Sequence, residues 1–278
     1  MITPQREMNI VTDGPSYYIE YFHSVSLTKA DIDQLGSENL SYLSTILFAA
    51  NELFVFQKIL SSNIKTPKQR DTEILTLSFI QQSTILRTLS AKVLEFIKLF
   101  EDQNKIWKRG GFNDEIERMR SHTAQLLSLK GSKFYQFTKE MRNSLINHYL
   151  VSATLKNLNY VSENADYSFY LHQELGNSFF PIGEEVVFFG FVNRHFGDDG
   201  EVNSFEEKSV FIKEWVDWVL EALKWANNVV ETFSIFIILE KLGGKIAKRK
   251  PLFIDPEIVA DIHKFRSPLI FRDRREKN

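Results

Sequence analysis

The chain has 278 residues, of which 43% are hydrophobic and 25% are charged, and its formal net charge at pH 7 is −2. This length and composition are typical of a globular protein with a sizeable core, and they exclude a disordered chain. The sequence contains no cysteine, which excludes disulfides, thiolate nucleophiles and cysteine-ligated zinc or iron–sulfur sites.

The expected location follows from the apolar segments. The first residues, MITPQREMNIVTDG, lack the basic region followed by an apolar region that defines a secretory signal. In the late segment ETFSIFIILEKL, no uninterrupted apolar run approaches the roughly 20 residues that a membrane span needs. We therefore expect a soluble, cytoplasmic protein without a membrane partner.

Apolar residues at helical spacing predict two long helices in the first part of the chain. The first covers residues 37–62, with Ser37 as its N-cap, and the TPKQ turn around Pro67 ends it. The second covers residues 71–102. A loop is predicted to follow at 103–112, where the adjacent glycines 110 and 111 break the pattern.

Two further helices are predicted before the pattern changes. A helix follows the loop at 113–130, with Asn113 as a candidate N-cap and acidic residues in its first turn. The next helix covers about 132–158. Its apolar stripe steps by three and four residues, and His148 falls on this stripe.

After residue 158, the spacing of the apolar residues shortens to the alternation that is typical of a β-strand. The segments YSFYLHQEL and EEVVFFGFVNRHF are rich in aromatic and β-branched residues, and they predict two or three strands within residues 160–204, with GDDG as a turn. A last helix is predicted at 205–242. Ser204 and Glu207 form a capping box at its start, and Gly243-Gly244 ends it.

Three tryptophans, Trp215, Trp218 and Trp225, share one stripe of that last helix. Such a stripe is typical of a core, and the alternative is a face that stacks on bases or contacts a partner helix.

Together these elements predict a mainly α fold in a single domain of residues 1–278. It is an up-down helical bundle with a small antiparallel β insertion before a last long helix. The parts are a helical core (37–158), the insertion (160–204), the long helix (205–242) and a basic C-terminal segment (243–278). Residues 241–278 contain 11 Lys and Arg against 5 Asp and Glu. This segment is either a solvated terminus or a surface that contacts phosphate.

The sequence predicts neither a cofactor nor a metal site. It has no P-loop and no H-E-x-x-H motif. His172 and Glu174 share a face of a predicted strand, but a metal site would need further ligands.

The stretch MRNSLINHYL is the candidate catalytic site, with Arg142, Asn143 and His148 as its residues. It resembles the R-x(4–6)-H motif of the HEPN family, in which the arginine is often followed by asparagine and the fold is an up-down helical bundle. The resemblance implies metal-independent RNA cleavage. His148 would be the general acid or base, and Arg142 would hold the scissile phosphate. Asn143 would orient one of them or cap a new helical turn.

The resemblance also implies partners. Family members often dimerise so that two motifs share one cleft, which implies a homodimer through the 133–158 helix, and an RNA substrate. We expect a toxin or phage-defence component, with a protein partner or antitoxin. On a continuous α-helix Arg142 and His148 would lie about 9 Å apart along the axis and about 120° apart around it, so a kink or a second protomer would help them converge.

The alternative is that this stretch is structural. The protein would then be a non-catalytic helical interaction or scaffold protein whose β insertion and tryptophan-bearing helix contact a protein partner. A nuclease should place Arg142 and His148 in a solvent-reachable cleft, at a two-fold interface. A scaffold should bury His148 against apolar neighbours and leave Arg142 in water or in an ion pair.

Overall fold

Helices dominate the computed structural model, which describes residues 18–63, 71–146, 151–173, 176–196, 202–244, 248–254 and 268–269. Its α-helices are α1 (Lys29–Gln34), α2 (Gly36–Asn63), α3 (Thr72–Gly110), α4 (Asn113–Lys130), α5 (Lys133–Met141), α6 (Val151–Asn157), α7 (Pro181–Gly183), α8 (Gly190–Phe196) and α9 (Phe205–Phe236). Turns of π-helix cover Arg142–Ile146, Glu184–Phe189 and Ile237–Lys241, and a 3-10 turn covers Leu158–Tyr160. A two-stranded antiparallel sheet pairs β1 (Tyr18–Ser24) with β2 (Lys248–Ile254). The predicted mainly α fold with a small antiparallel sheet is confirmed.

The two long helices of the first part are present, but the second is longer than predicted. Helix α2 covers the predicted range of 37–62, but it begins at Gly36, so Ser37 lies inside the helix and is not its N-cap. Helix α3 continues through the predicted loop at 103–112 as far as Gly110, because Trp107 is 1% exposed and extends the buried face that contains Phe100. The helix ends at Gly111, whose φ of 72° is the left-handed conformation that glycine adopts most readily.

Helices α4 and α5 begin close to their predicted positions. Asn113 is the first residue of α4, and Phe112 occupies the N-cap position instead, without a side-chain cap. Ser132 caps α5, and its Oγ accepts a hydrogen bond from the backbone N–H of Phe134 at 3.2 Å. The predicted helix at 132–158 is described as α5, a π-turn and α6, and residues 147–150 lie outside the described part.

The predicted strands at 160–204 are the main error. Residues 181–196 are helical, and the described remainder of this range holds only an isolated bridge between Tyr170 and Phe179. Phe188, Phe189 and Phe191 are buried. These aromatic residues favour strands by propensity, but here they pack in a core formed by helices. Tertiary packing therefore overrides their propensity. The predicted turns at 66–69 and 197–200 lie outside the described residues.

The last long helix, α9, begins and ends as predicted. The carboxylate of Glu207 accepts from the backbone N–H of Ser204 at 2.8 Å, and the Ser204 hydroxyl accepts from the Glu207 N–H at 3.1 Å. This is the reciprocal capping box. After the π-turn at Ile237–Lys241, Gly243 and Gly244 both have positive φ, and the helix stops.

The tryptophans of α9 are core residues, as their stripe predicts. The exposed fractions of Trp215, Trp218 and Trp225 are 0%, 6% and 3%. Their indole N–H groups donate to the Thr138 hydroxyl and to the carbonyls of Leu129 and His122, respectively. These rings are therefore not a surface for bases or for a partner helix.

The chain divides into two compact units. The described part of the first comprises residues 18–44, 232–244 and 248–254. Within it Tyr42 packs edge-on against Phe233, and the Gln34 side-chain amide donates to the Lys241 carbonyl at 2.9 Å. The second comprises the described residues between 45 and 231 together with 268–269, and its core contains Trp215, Phe137 and Phe188.

Two helical segments, Gly36–Asn63 and Phe205–Lys241, are long and apolar enough to cross a membrane by length and composition alone. Half of the most apolar stretch of Phe205–Lys241 is buried inside the protein, as in an ordinary core helix. In Gly36–Asn63 the corresponding share is 28%, and Phe48 and Val55 are among its exposed side chains.

Candidate functional site at Arg142

Arg142 begins a π-helical turn directly after α5. Helix α5 is anchored by its buried face, in which Phe134, Phe137 and Met141 are at most 5% exposed. From Arg142 to Ile146 the backbone changes from α-helix to π-helix. Such single π-turns are rare inside helices and occur frequently at functional sites. The departure from α-helical geometry therefore starts at the first residue of the motif.

The guanidinium of Arg142 is held by an acidic residue of the neighbouring helix. Its Nη2 forms an ion pair with Oε1 of Glu95 on α3. The two side chains remain 27% and 47% exposed. A pair this accessible to water contributes only about 0–1 kcal/mol to stability. A phosphate could therefore displace the Glu95 carboxylate at little cost.

The motif is only partly described. Asn143 is exposed to solvent and Arg142 is half-buried, so the structure brings Arg142 to an accessible surface beside Glu95. His148 lies outside the described residues. The convergence of Arg142 and His148 on one phosphate remains a prediction from the sequence.

A second histidine, which sequence analysis missed, is oriented by a carboxylate. His195 Nδ1 lies 3.0 Å from Oε2 of Glu140, and the other oxygen of Glu140 accepts from the Gln136 amide at 2.6 Å. The second ring nitrogen, Nε2, lies 3.4 Å from a guanidinium nitrogen of Arg194. The arrangement depends on α8, which was predicted to be a strand, so no signal in the sequence would have placed Glu140 beside His195.

The environment of His195 lowers the pKa of its imidazole. The largest cause is partial burial, the nearby Arg194 charge acts in the same direction, and Glu140 opposes both. The neutral ring is therefore favoured at pH 7. In this form one nitrogen donates to Glu140, and Nε2 accepts from Arg194.

A half-buried ion pair and a buried ion pair follow each other along the π-helical segment Glu184–Phe189. Arg87 holds Glu184 with two hydrogen bonds of 2.5 and 2.8 Å, and Lys208 holds Glu185 with two of 2.6 and 2.7 Å. Each cation also lies over a phenylalanine ring. Because every charge here has its counter-charge, we assign these pairs to the framework of the fold.

The cavity between α3 and α9 does not include the described residues of the motif. A cavity of about 470 Å³ lies between α3 and α9, with Phe79, Ile212 and Val216 among its apolar walls. Neither Arg142 nor Asn143 lines it. Within the described residues, no group of three or more His, Cys, Asp or Glu side chains could hold a metal ion.

Comparison with known proteins returns no relative. No protein-family model matches this sequence, and no curated protein and no solved structure matches it. The resemblance to the HEPN motif therefore depends on Arg142, Asn143 and His148 themselves.

Proposed function

We propose that this protein binds RNA and cleaves it without a metal ion, with Arg142 on the scissile phosphate and His148 as general acid or base. The observation that carries the proposal is the π-turn that begins at Arg142 and presents this arginine in an exposed, weakly held ion pair. A guanidinium in such a position can exchange a carboxylate for a phosphate, because both ligands match its planar donor fork.

The reaction needs no group beyond the RNA and the motif. His148 accepts the proton of a ribose 2′-hydroxyl, and the 2′-oxygen forms a bond to the adjacent phosphorus. The bond from phosphorus to the 5′-oxygen breaks, and that oxygen takes up a proton from a protonated His148 of the same or of the second protomer. The products are a 2′,3′-cyclic phosphate and a 5′-hydroxyl. Arg142 offsets the charge that develops on the phosphate oxygens in the transition state.

A homodimer through the 133–158 segment is part of this proposal. It would place two Arg142 and two His148 side chains in one cleft, so that one imidazole accepts a proton while the other donates one. A role as a toxin or phage-defence component, with a protein partner or antitoxin, follows from the same motif.

The test is cleavage of a pool of structured RNAs in the presence of EDTA. The wild type is compared with His148→Ala, Arg142→Ala and the control Arg109→Ala, which removes an exposed arginine at the end of α3. We expect cleavage to survive EDTA and Arg109→Ala and to be lost in both motif variants, with cyclic phosphate ends on the products. Equal activity of all four proteins, or no cleavage by any of them, would contradict the proposal.

A second candidate function, docking of a protein partner, is favoured by the loop at 161–180. Alternate residues Tyr167, Phe169 and Leu171 are 50%, 65% and 80% exposed, and Phe180 is 47% exposed beside Phe169. Exposed apolar side chains that alternate along an extended segment suit the addition of a partner strand. This function is the alternative if RNA cleavage is absent. Phe169→Asp should then abolish partner capture while the melting temperature stays unchanged.

A further inference from the structure

The ribbon formed by β1 and β2 exposes aromatic rings and cations together. The strands pair antiparallel, with Phe22 opposite Lys250 and Tyr21 opposite Pro251. Along β2, every residue from Lys248 to Phe253 is exposed, and only Ile254 is half-buried. Phe253 is 67% exposed and Phe22 is 52% exposed. Two-stranded ribbons are marginally stable when nothing covers them, so rings this exposed indicate a surface that takes a ligand.

Strand β2 carries three consecutive, solvent-exposed cations. Lys248, Arg249 and Lys250 are consecutive, and none of them has an ion-pair partner within the described part of the chain. The Arg249 guanidinium instead lies 3.6 Å from the centre of the Tyr21 ring. Phosphate is the ligand whose charge complements three exposed, consecutive cations.

The strand period distributes these groups over both faces of the ribbon. Lys248 and Lys250 share one face with Phe22, about 7 Å apart along the strand. Arg249 shares the other face with Tyr21 and Phe253. Each face therefore combines a ring for stacking with a cation for the backbone. This combination is typical of surfaces that bind single-stranded nucleic acid.

We propose that the β1–β2 ribbon binds unpaired RNA, with Phe22 and Phe253 stacking on bases and Lys248, Arg249 and Lys250 contacting phosphates. The choice of RNA as the ligand rests on the proposed function. In a duplex the bases stack on each other and offer no free face to a phenylalanine, so the ligand is single-stranded. A membrane is a poorer fit, because inserting either face would carry a lysine or an arginine into hydrocarbon.

The test measures RNA affinity in the full chain carrying His148→Ala, so that the proposed cleavage does not destroy the probe. The probe is a fluorescein-labelled RNA of 12 unpaired nucleotides, compared with a duplex of the same length, and binding is followed by anisotropy at several salt concentrations. The variants are Phe253→Ala and Lys250→Ala. Their matched controls are Phe48→Ala, which removes a ring that is also 67% exposed, and Lys108→Ala, which removes an exposed lysine of α3.

We expect the unpaired RNA to bind more tightly than the duplex and Phe253→Ala to weaken binding at least about fivefold, as loss of one stacked base does. Lys250→Ala should flatten the slope of log K against log salt by about 0.7, the value for one phosphate contact on a single strand. Neither control should change these quantities, and circular dichroism should show that every variant is folded.

Three outcomes would overturn the proposal. In the first, Phe253→Ala has the same affinity for the unpaired RNA as the control Phe48→Ala. In the second, the duplex binds as tightly as the unpaired RNA. In the third, the parent protein binds vesicles of phosphatidylcholine and phosphatidylglycerol, and Phe253→Ala loses this binding while its affinity for RNA is unchanged. That result would assign the ribbon to a membrane surface. The ribbon proposal and the nuclease proposal can fail independently of each other. Cleavage that depends on His148 can be observed even if the ribbon variants bind RNA as the wild type does. Ribbon-dependent binding can likewise persist in a chain that never cuts.

Discussion

The side chain of Arg142 on the π-turn after α5 is paired with the carboxylate of Glu95 on α3. This pair connects the sequence motif to the rest of the second unit, and it is accessible to solvent on both sides. Under the proposed function, an RNA phosphate would take the place of Glu95, so that this carboxylate would compete with the RNA for the guanidinium.

Replacement of Glu95 should therefore tighten RNA binding. In the His148→Ala background, we expect Glu95→Gln to raise affinity by up to about fivefold, because an exposed ion pair is worth about 0–1 kcal/mol. Arg142→Ala should lower affinity. Glu101→Gln is the control, because it removes a carboxylate from a comparably exposed pair with Lys130. Equal affinities for Glu95→Gln and Glu101→Gln would show that Glu95 does not compete with the ligand.

The buried pair of Lys208 and Glu185 should be far more sensitive to loss of one partner than an exposed pair. Both side chains are about one-tenth exposed, whereas those of Lys29 and Asp33 are mostly exposed. Glu185→Ala leaves an ammonium without its counter-charge and should lower the free energy of unfolding by about 3–5 kcal/mol. Asp33→Ala should cost less than about 1 kcal/mol. Urea denaturation measures both, and similar losses would mean that water reaches Lys208.

Replacing both buried charges should be milder than removing one. We expect the double variant Glu185→Leu with Lys208→Met to be close to the wild type in urea stability, since apolar replacements of buried pairs are often neutral or stabilising. A double variant as unstable as Glu185→Ala would show instead that the hydrogen bonds of this pair are needed for the packing of α9.

Gly190 is required by close packing of α8 against the end of α6. A Cβ at this position would lie 2.9 Å from the carbonyl oxygen of Asn157, and backbone cannot move aside as a flexible side chain can. Gly190→Ala should therefore lower the melting temperature. In Gly183→Ala the new Cβ meets nothing within 4 Å, so this control should keep or raise the melting temperature because alanine favours helix by up to about 1 kcal/mol. Equal melting temperatures for the two variants would contradict the packing argument.

The low pKa of the His195 imidazole should make the protein less stable in mild acid. When the pKa is lower in the folded state than in the unfolded state, the unfolded chain binds more protons below the ordinary value of 6.5. The free energy of unfolding should therefore fall as the pH drops through about 6.5. We expect His195→Gln to reduce this slope in urea denaturation between pH 5 and 7. An unchanged slope would mean that another histidine causes it, and His122 also has a pKa lowered by burial.

The effects of Glu140 and Arg194 on the pKa of the His195 imidazole can be tested separately, by NMR titration of the His195 ring protons in variants. Glu140→Gln removes the group that raises the imidazole pKa, so the pKa should fall further. Arg194→Met removes a group that lowers it, so the pKa should rise. A shift in the wrong direction in either variant would contradict the contacts observed at this ring.

Elements that depend on local signals agree with expectations from the sequence. The capping box of Ser204 and Glu207 joins residues three apart, and the glycines that follow α9 and its π-turn act through their own backbone conformation. The tryptophan stripe of α9 is buried because its spacing matches the helical period. In each case the physical cause acts within a few residues, so the sequence contains it directly.

Elements that depend on distant contacts could not be predicted in this way. The segment 184–196 has the composition of a strand, yet Phe188, Phe189 and Phe191 are buried as parts of a helix. The start signals of that helix, Pro181 and the acidic pair Glu184 and Glu185, are present in the sequence. They compete with a stronger β-type pattern, and only packing decides between the two.

By itself, the sequence determined the mainly α class and the bounds of the long helices α2, α4 and α9, because helical periodicity and caps are local. It also contains the motif of Arg142, Asn143 and His148, whose function stays a prediction. Only the tertiary structure placed Glu95 beside Arg142, Glu140 beside His195 and β1 beside β2. Each of these contacts joins elements far apart in the chain. Their energy comes from burial and charge pairing, which exist only after the chain has folded.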